Sequence, residues 1–334
     1  MNHLQVQNHP HFFNIAQAVP NVYPNGNVNF SSNITLSLPP YANEYFEKTA
    51  FGLIDFLKKL EQDAIKVFPK PASDYLNPVM NPMCYFALQQ MPSFSYFIGL
   101  FDGFEANPYL DVIQKFAVEN SQLMLSPQLV PNHIWENLFR RLRAELYTAK
   151  AKPQAKKFQA QIQKLRNEQK TVFRRVMQTQ DQANCIFLEL PLITQTDPPH
   201  YQTQEEAEKE SIRVLKKYFQ WLHGSKQLSG ILSDIQWRIV KGLDHRLTAQ
   251  AFIYILGDEI DYLPLLKEQW ELTCSDYQLQ GVFPEPKRTH CYDGQGIVQK
   301  AWLQLIERVH EPLGFYRYKG NGITYVWKEY TGNV

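Results

Sequence analysis

The stretch Asn184-Cys185-Ile186-Phe187-Leu188-Glu189-Leu190-Pro191-Leu192-Ile193 decides the fold class. It is apolar almost throughout and reads as a largely buried strand. Downstream, Thr203 and Glu206 make a Thr-x-x-Glu capping box that opens a helix with Ile212, Leu215, Phe219 and Leu222 on one face. Its acids (Glu205, Glu206, Glu208) come first and its bases (Arg213, Lys216, Lys217) last, as the helix dipole favours, and Gly224 ends it. Strands follow over 230–240 and 250–256, joined by a turn at Lys241-Gly242. A short helix then carries Leu263, Leu266 and Trp270, and an extended piece lies at Gly281-Val282-Phe283. That order, β-α-β-β-α-β, predicts a ferredoxin-like unit, with a helix over 297–310 and a strand over 323–327 appended.

Upstream the pattern is helical. The first forty residues, rich in Asn and Pro, read as an extended lead-in. Phe46, Phe51, Ile54, Leu57 and Ile65 recur at helical spacing over 43–68, and the apolar, aromatic stretch 84–104 belongs in a helical core. Asn107-Pro108 suits the start of a further helix. Another begins near Asn132 with Ile134, Trp135, Leu138, Leu142 and Leu146; Pro153 breaks or kinks it, and a Gln/Lys-rich helix runs to about Gln178. The apolar stripe of that last helix (Phe158, Ile162, Leu165) is thin, so it is expected to be exposed. Trp221, Trp237 and Trp302 are assigned to the core. The expected fold is therefore α+β: a lead-in over 1–40, a helical domain over 41–130, a basic helical arm over 131–180 and an α+β domain over 181–334.

Charge adds a statement about partners. Between Leu138 and Arg175 twelve basic residues (Arg140, Arg141, Arg143, Lys150, Lys152, Lys156, Lys157, Lys164, Arg166, Lys170, Arg174, Arg175) face only Glu145 and Glu168. This stretch carries +10 and the rest of the chain −9, a segregation that the net charge of +1 conceals. Lys and Arg side chains so placed can clamp a phosphate backbone, with Arg140, Arg141, Arg143, Lys156, Lys157, Arg174 and Arg175 as candidate nucleic-acid contacts. The four cysteines are far apart with no CxxC pair, which argues against a disulfide framework or zinc knuckle and fits a reducing cytoplasm. No apolar run reaches the length of a membrane span, and Met1-Asn2-His3-Leu4-Gln5 lacks the order of a signal peptide.

Walker A, GxGxxG, HExxH and GxSxG motifs are missing, which leaves nucleotide hydrolysis, dinucleotide redox chemistry, zincin proteolysis and the α/β-hydrolase route without support. His9-Pro10-His11 is the one His-x-His in the chain and sits in the lead-in, with no nearby acid.

From about Lys170 to Tyr330 the motifs fall in a shared order. After the basic helix come Cys185-Ile186-Phe187-Leu188-Glu189-Leu190, a capped helix, and Ser229-Gly230-Ile231-Leu232-Ser233-Asp234-Ile235-Gln236-Trp237. Lys241-Gly242-Leu243-Asp244-His245, Ala251-Phe252-Ile253-Tyr254-Ile255, Glu268-Gln269-Trp270, Tyr292-Asp293-Gly294-Gln295-Gly296-Ile297 and Tyr316-Arg317-Tyr318-Lys319 follow. In this order and spacing the chain resembles the rolling-circle replication initiators of filamentous phages and prophages, of the HUH endonuclease group. The resemblance implies a divalent metal, Mg²⁺ or Mn²⁺, held by a His-x-His pair on the third strand. It also implies a tyrosine that attacks the scissile phosphodiester and forms a phosphotyrosine link.

On that motif Tyr316 is the tyrosine and Lys319 the cation beside it. The histidine positions fall on Thr248 and Gln250, and Gln236 stands where a carboxylate is common. An alternative register offers Asp244 and His245 as metal ligands, but neighbours on a strand point to opposite faces. The expectation is therefore a DNA-binding, initiator-like protein of a mobile element with nicking reduced or lost. Single-stranded or hairpin DNA is the expected partner rather than plain duplex. The alternatives are an active nickase using Tyr316, and a module that binds a protein partner through its N-terminal helices.

Overall fold

The computed structural model describes residues 40–69, 79–96, 103–120, 123, 131–179, 181–192, 203–242, 246–257, 261–292, 296–318, 320 and 323–330. Among them the chain is a mixed α+β protein with eight α-helices, a two-stranded sheet and a five-stranded antiparallel sheet. It forms two compact units, one of residues 1–102 and 106–158, the other of 103–105 and 159–334.

In the first unit α1 (Pro40–Glu61), α2 (Pro82–Tyr96), α3 (Pro108–Glu119) and α4 (Asn132–Thr148) bury Leu53, Phe56, Met91, Ile113, Phe116, Leu138 and Phe139. The Phe56 and Phe139 rings meet edge to face at 5.7 Å. α3 starts where the sequence says: the Asn107 side chain accepts from the Tyr109 N–H at 3.1 Å and Pro108 is the first helical residue. α4 stops at Thr148, Lys150 takes a left-handed conformation (φ 52°), and α5 (Ala151–Thr179) begins. Pro153 thus sits in the first turn of α5, where N–H groups lack intrahelical acceptors. It helps to start a helix instead of kinking one.

The second unit carries the large sheet. Its elements are β2 (Gln182–Pro191), α6 (Gln204–Gly224), β3 (Leu232–Lys241), β4 (Leu247–Leu256), α7 (Leu263–Asp276), β5 (Lys287–Tyr292), α8 (Gly296–His310) and β7 (Lys328–Glu329). The strands lie in the order β5-β2-β4-β3-β7. β1 (Phe104–Ala106) and β6 (Tyr316–Tyr318) pair separately. The capping box of α6 is formed in both directions, Thr203 to the Glu206 N–H and Glu206 back to the Thr203 N–H.

Period-two alternation sorts the strands onto two helix layers. Ile186, Leu188, Ile235, Trp237, Ala251 and Ile253 face α6 and α7, against Leu215, Phe219, Leu266 and Trp270. Cys185, Phe187, Phe252 and Tyr254 face the other way, against Val172, Phe173 and Val176 of α5 and Trp302 and Ile306 of α8. Each large apolar side chain buried this way is worth about 1.5–3 kcal/mol. Cover on both faces explains why β2 and β4 read as near-continuous apolar runs.

Four expectations are corrected. The strand expected at 281–283 is β5, because Pro284 and Pro286 cannot donate to a ladder and pairing starts only at Lys287. The strand expected over 323–327 is displaced to Lys328–Glu329; the Tyr325 carbonyl accepts from Arg238 instead of from a neighbouring strand. The stripe of α5 does not end at Leu165 but continues through Val172, Phe173 and Val176, and all of it is buried. Trp221 lies off the buried stripe of α6 and is 37% exposed, while Trp237 and Trp302 are core residues. No helix among the described residues is long and apolar enough to cross a membrane.

Candidate functional site

The sheet face under α5 and α8 holds a row of polar side chains that cross-strand register brings into line. Glu189 of β2 is opposite Gln250 of β4, which is opposite Arg238 of β3. The Gln250 amide donates to Glu189 Oε1 at 2.9 Å, and its Oε1 accepts from Arg238 Nε at 2.8 Å. Arg238 also donates to the Val309 carbonyl at 2.9 Å and the Tyr325 carbonyl at 3.2 Å, and its guanidinium lies 4.3 Å from the centre of the Trp327 ring. Burial pulls its pKa down to about 9, with Glu189 acting the other way, so it stays a cation at neutral pH.

Trp327 continues the network. Its indole N–H donates to His310 Nε2 at 2.8 Å, which leaves the proton of the neutral ring on Nδ1, donated to the Ile306 carbonyl at 2.7 Å. Burial, helped by the Arg238 charge, pushes the His310 pKa down to about 3. The ring is a fixed neutral bridge.

The resemblance would place a metal at Thr248 and Gln250. Thr248 lies one row further along β4, opposite Pro191 and Val240, and Gln236 is opposite Phe252 on the same face. A hard dication needs several carboxylate or other strong oxygen donors. Here one carboxylate, Glu189, already accepts from Gln250, and a buried guanidinium is bonded to that same Gln250, where a second cation would be repelled. Among the described residues, those around Gln250 do not fit a divalent ion. Asp244, His245 and the His9-Pro10-His11 motif lie outside the described residues.

Tyr316 is buried on β6, its ring edge to face with Phe104 at 5.6 Å. Lys319 lies outside the described residues. Two residues on from Tyr316, Tyr318 also packs on Phe104, and its hydroxyl donates to Glu208, a carboxylate of α6 only 1% exposed. Lys241 Nζ stands 4.6 Å from the centre of the Tyr318 ring. Between the tyrosines, Arg317 points the other way, bonded to Gln161 and Glu105 at 2.7 Å each.

Sequence reasoning missed Glu189, Arg238, His310 and Trp327. A signal existed for two of them: charged residues inside apolar strand runs, on the same alternation as Phe187 and Phe252.

The basic residues of 138–175 divide into those bonded to partners within the fold and those that are exposed and enter no ion pair among the described residues. Arg143 is ion-paired with Asp63 at 2.5 Å, and Arg141 reaches the Asn120 side chain at 3.4 Å with its guanidinium over Phe116. Arg175 bridges Asp234 of β3 and Glu329 of β7, and Lys170 pairs with Glu307 of α8 at 2.6 Å. Arg140, Lys156, Lys157 and Arg174 are exposed.

Comparison with protein-family models, with curated proteins and with solved structures returns no match.

Proposed function

We propose that this chain is a DNA-binding protein built on a domain of the replication-initiator type, with nicking reduced or lost. The observation that carries the reading is the row Glu189–Gln250–Arg238. Its central member, Gln250, lies on the strand to which the resemblance assigns the metal ligands, and the row holds a resident guanidinium. The order β-α-β-β-α-β, with the fourth, first, third and second strands adjacent in the sheet, supports the ferredoxin-like reading of this unit. The +10 charge of residues 138–175 supplies the attraction to DNA.

Without an ion, a tyrosine would attack an anionic phosphodiester with no Lewis acid to absorb the developing charge. Metal assistance is worth several kcal/mol, and each 1.36 kcal/mol is about tenfold in rate, so cleavage is expected to be roughly thousands-fold slow. End-labelled hairpin and single-stranded oligonucleotides, incubated with Mg²⁺ or Mn²⁺, test this. The expected result is salt-sensitive binding with no covalent adduct. An adduct lost in Tyr316→Phe would establish the nickase instead. One contact favours that second reading in another form, the Tyr318 hydroxyl on the Glu208 carboxylate, so Tyr318→Phe belongs in the same assay.

A further inference from the structure

Of the twelve basic residues between Leu138 and Arg175, four stand together at the corner between α4 and α5: Lys150, Lys152, Lys156 and Lys157. All four are exposed, and no acid occurs in the sequence between Glu145 and Glu168. Among the described residues none of the four enters an ion pair, in contrast to Arg143, Lys170 and Arg175, which are tied to Asp63, Glu307 and Asp234.

Folding stability does not account for this cluster. The start of a helix favours acidic side chains, yet the first turn of α5 has none and lysines stand there and in the next turn. Lys150 occupies a left-handed position that glycine would fill without strain. Like charges packed at one corner repel each other, and a polyanion relieves that repulsion.

The outward chemistry selects the polyanion. Over 150–157 the exposed residues are the four lysines, Pro153 and Gln154, while Ala151 and Ala155 are buried. A surface that docks on anionic lipid adds large outward apolar side chains to its charge, and over 150–157 the one outward apolar side chain is the small ring of Pro153. Lysines are flexible point charges suited to phosphate oxygens and carry no base information.

We infer that the Lys150–Lys157 corner is the phosphate-backbone docking surface of this chain, binding nucleic acid without regard to sequence, while Arg141, Arg143, Lys170 and Arg175 serve the fold. The inference rests on the DNA-binding reading above and localises it.

The test compares full-length wild type, Lys152→Gln/Lys156→Gln/Lys157→Gln and Lys164→Gln/Arg174→Gln, the last two residues being exposed cations of the second unit. Binding to a mixed-sequence oligonucleotide is measured as a function of salt, with circular dichroism to confirm that each variant is folded. The triple variant is expected to bind at least about tenfold more weakly and to lose about two to three units of the log–log salt slope, since each phosphate contact contributes about 0.7–0.9. The double variant is expected to stay within about twofold of wild type. If wild type binds and the triple variant keeps its affinity and slope, the corner is not the docking surface, and the DNA-binding reading stands without it. If wild type does not bind even at low salt, both fall. Binding to phosphatidylserine vesicles but not to the oligonucleotide would assign the corner to a membrane and overturn the inference.

Discussion

Arg238 on β3 and Gln250 on β4 face each other across the sheet, with the guanidinium Nε donating to the carboxamide Oε1 over 2.8 Å. The same guanidinium serves the Val309 and Tyr325 carbonyls, so one side chain ties the sheet to the end of α8 and to the chain beyond β6.

Arg238→Met should therefore cost about 2–4 kcal/mol of stability, because Gln250 Oε1 and the Val309 and Tyr325 carbonyls lose their donor. Arg238→Lys should recover less than half, because an ammonium cannot match the guanidinium's spread of donors. Urea unfolding of the two variants measures both. A loss below about 1 kcal/mol in Arg238→Met would mean that the row is dispensable.

Acid should weaken the fold through His310. Its pKa is near 6.5 when unfolded and about 3 when folded, so the unfolded chain binds the extra proton first. The stability contributed is full above pH 6.5 and falls away as the pH drops toward 3. Replacing His310 by Gln should lower stability at neutral pH and flatten its pH dependence over that interval, as read from unfolding midpoints. An unchanged slope would exclude this histidine as the source.

Phe173 carries the claim that the second half of α5 belongs to the sheet's core. Its ring lies 6.3 Å from Tyr254 and 6.5 Å from Trp302, and it is 2% exposed. Phe173→Ala should cost about 3–5 kcal/mol. A fragment starting at Thr179 lacks Val172, Phe173 and Val176 together and should show no cooperative thermal transition. Sharp unfolding of that fragment would refute the assignment.

Lys150→Gly should raise stability by roughly 0.5–1 kcal/mol, since glycine occupies the left-handed region without the Cβ penalty. Removing one lysine should also weaken oligonucleotide binding by a small, sequence-independent factor. Thermal unfolding and a binding titration on the same protein read the two effects. Gained stability with unchanged binding would exclude Lys150 from the docking surface.

The sequence by itself determined the local elements and their order. Thr203 and Glu206 cap α6, Asn107-Pro108 opens α3, and residues 184–191 and 250–256 lie in β2 and β4, because capping and alternation act between residues a few positions apart. It also set the charge segregation, which is a property of composition.

Tertiary structure alone decided which polar residues meet. Glu189, Gln250 and Arg238 are far apart in sequence and join only through strand register, and His310 and Trp327 enter from segments folded back onto the same face. It also separated the basic arm into cations committed to Asp63, Asp234 and Glu307 and lysines left to solvent. A charge run has the same sequence signature either way; what differs is whether an acid from a distant element comes within reach.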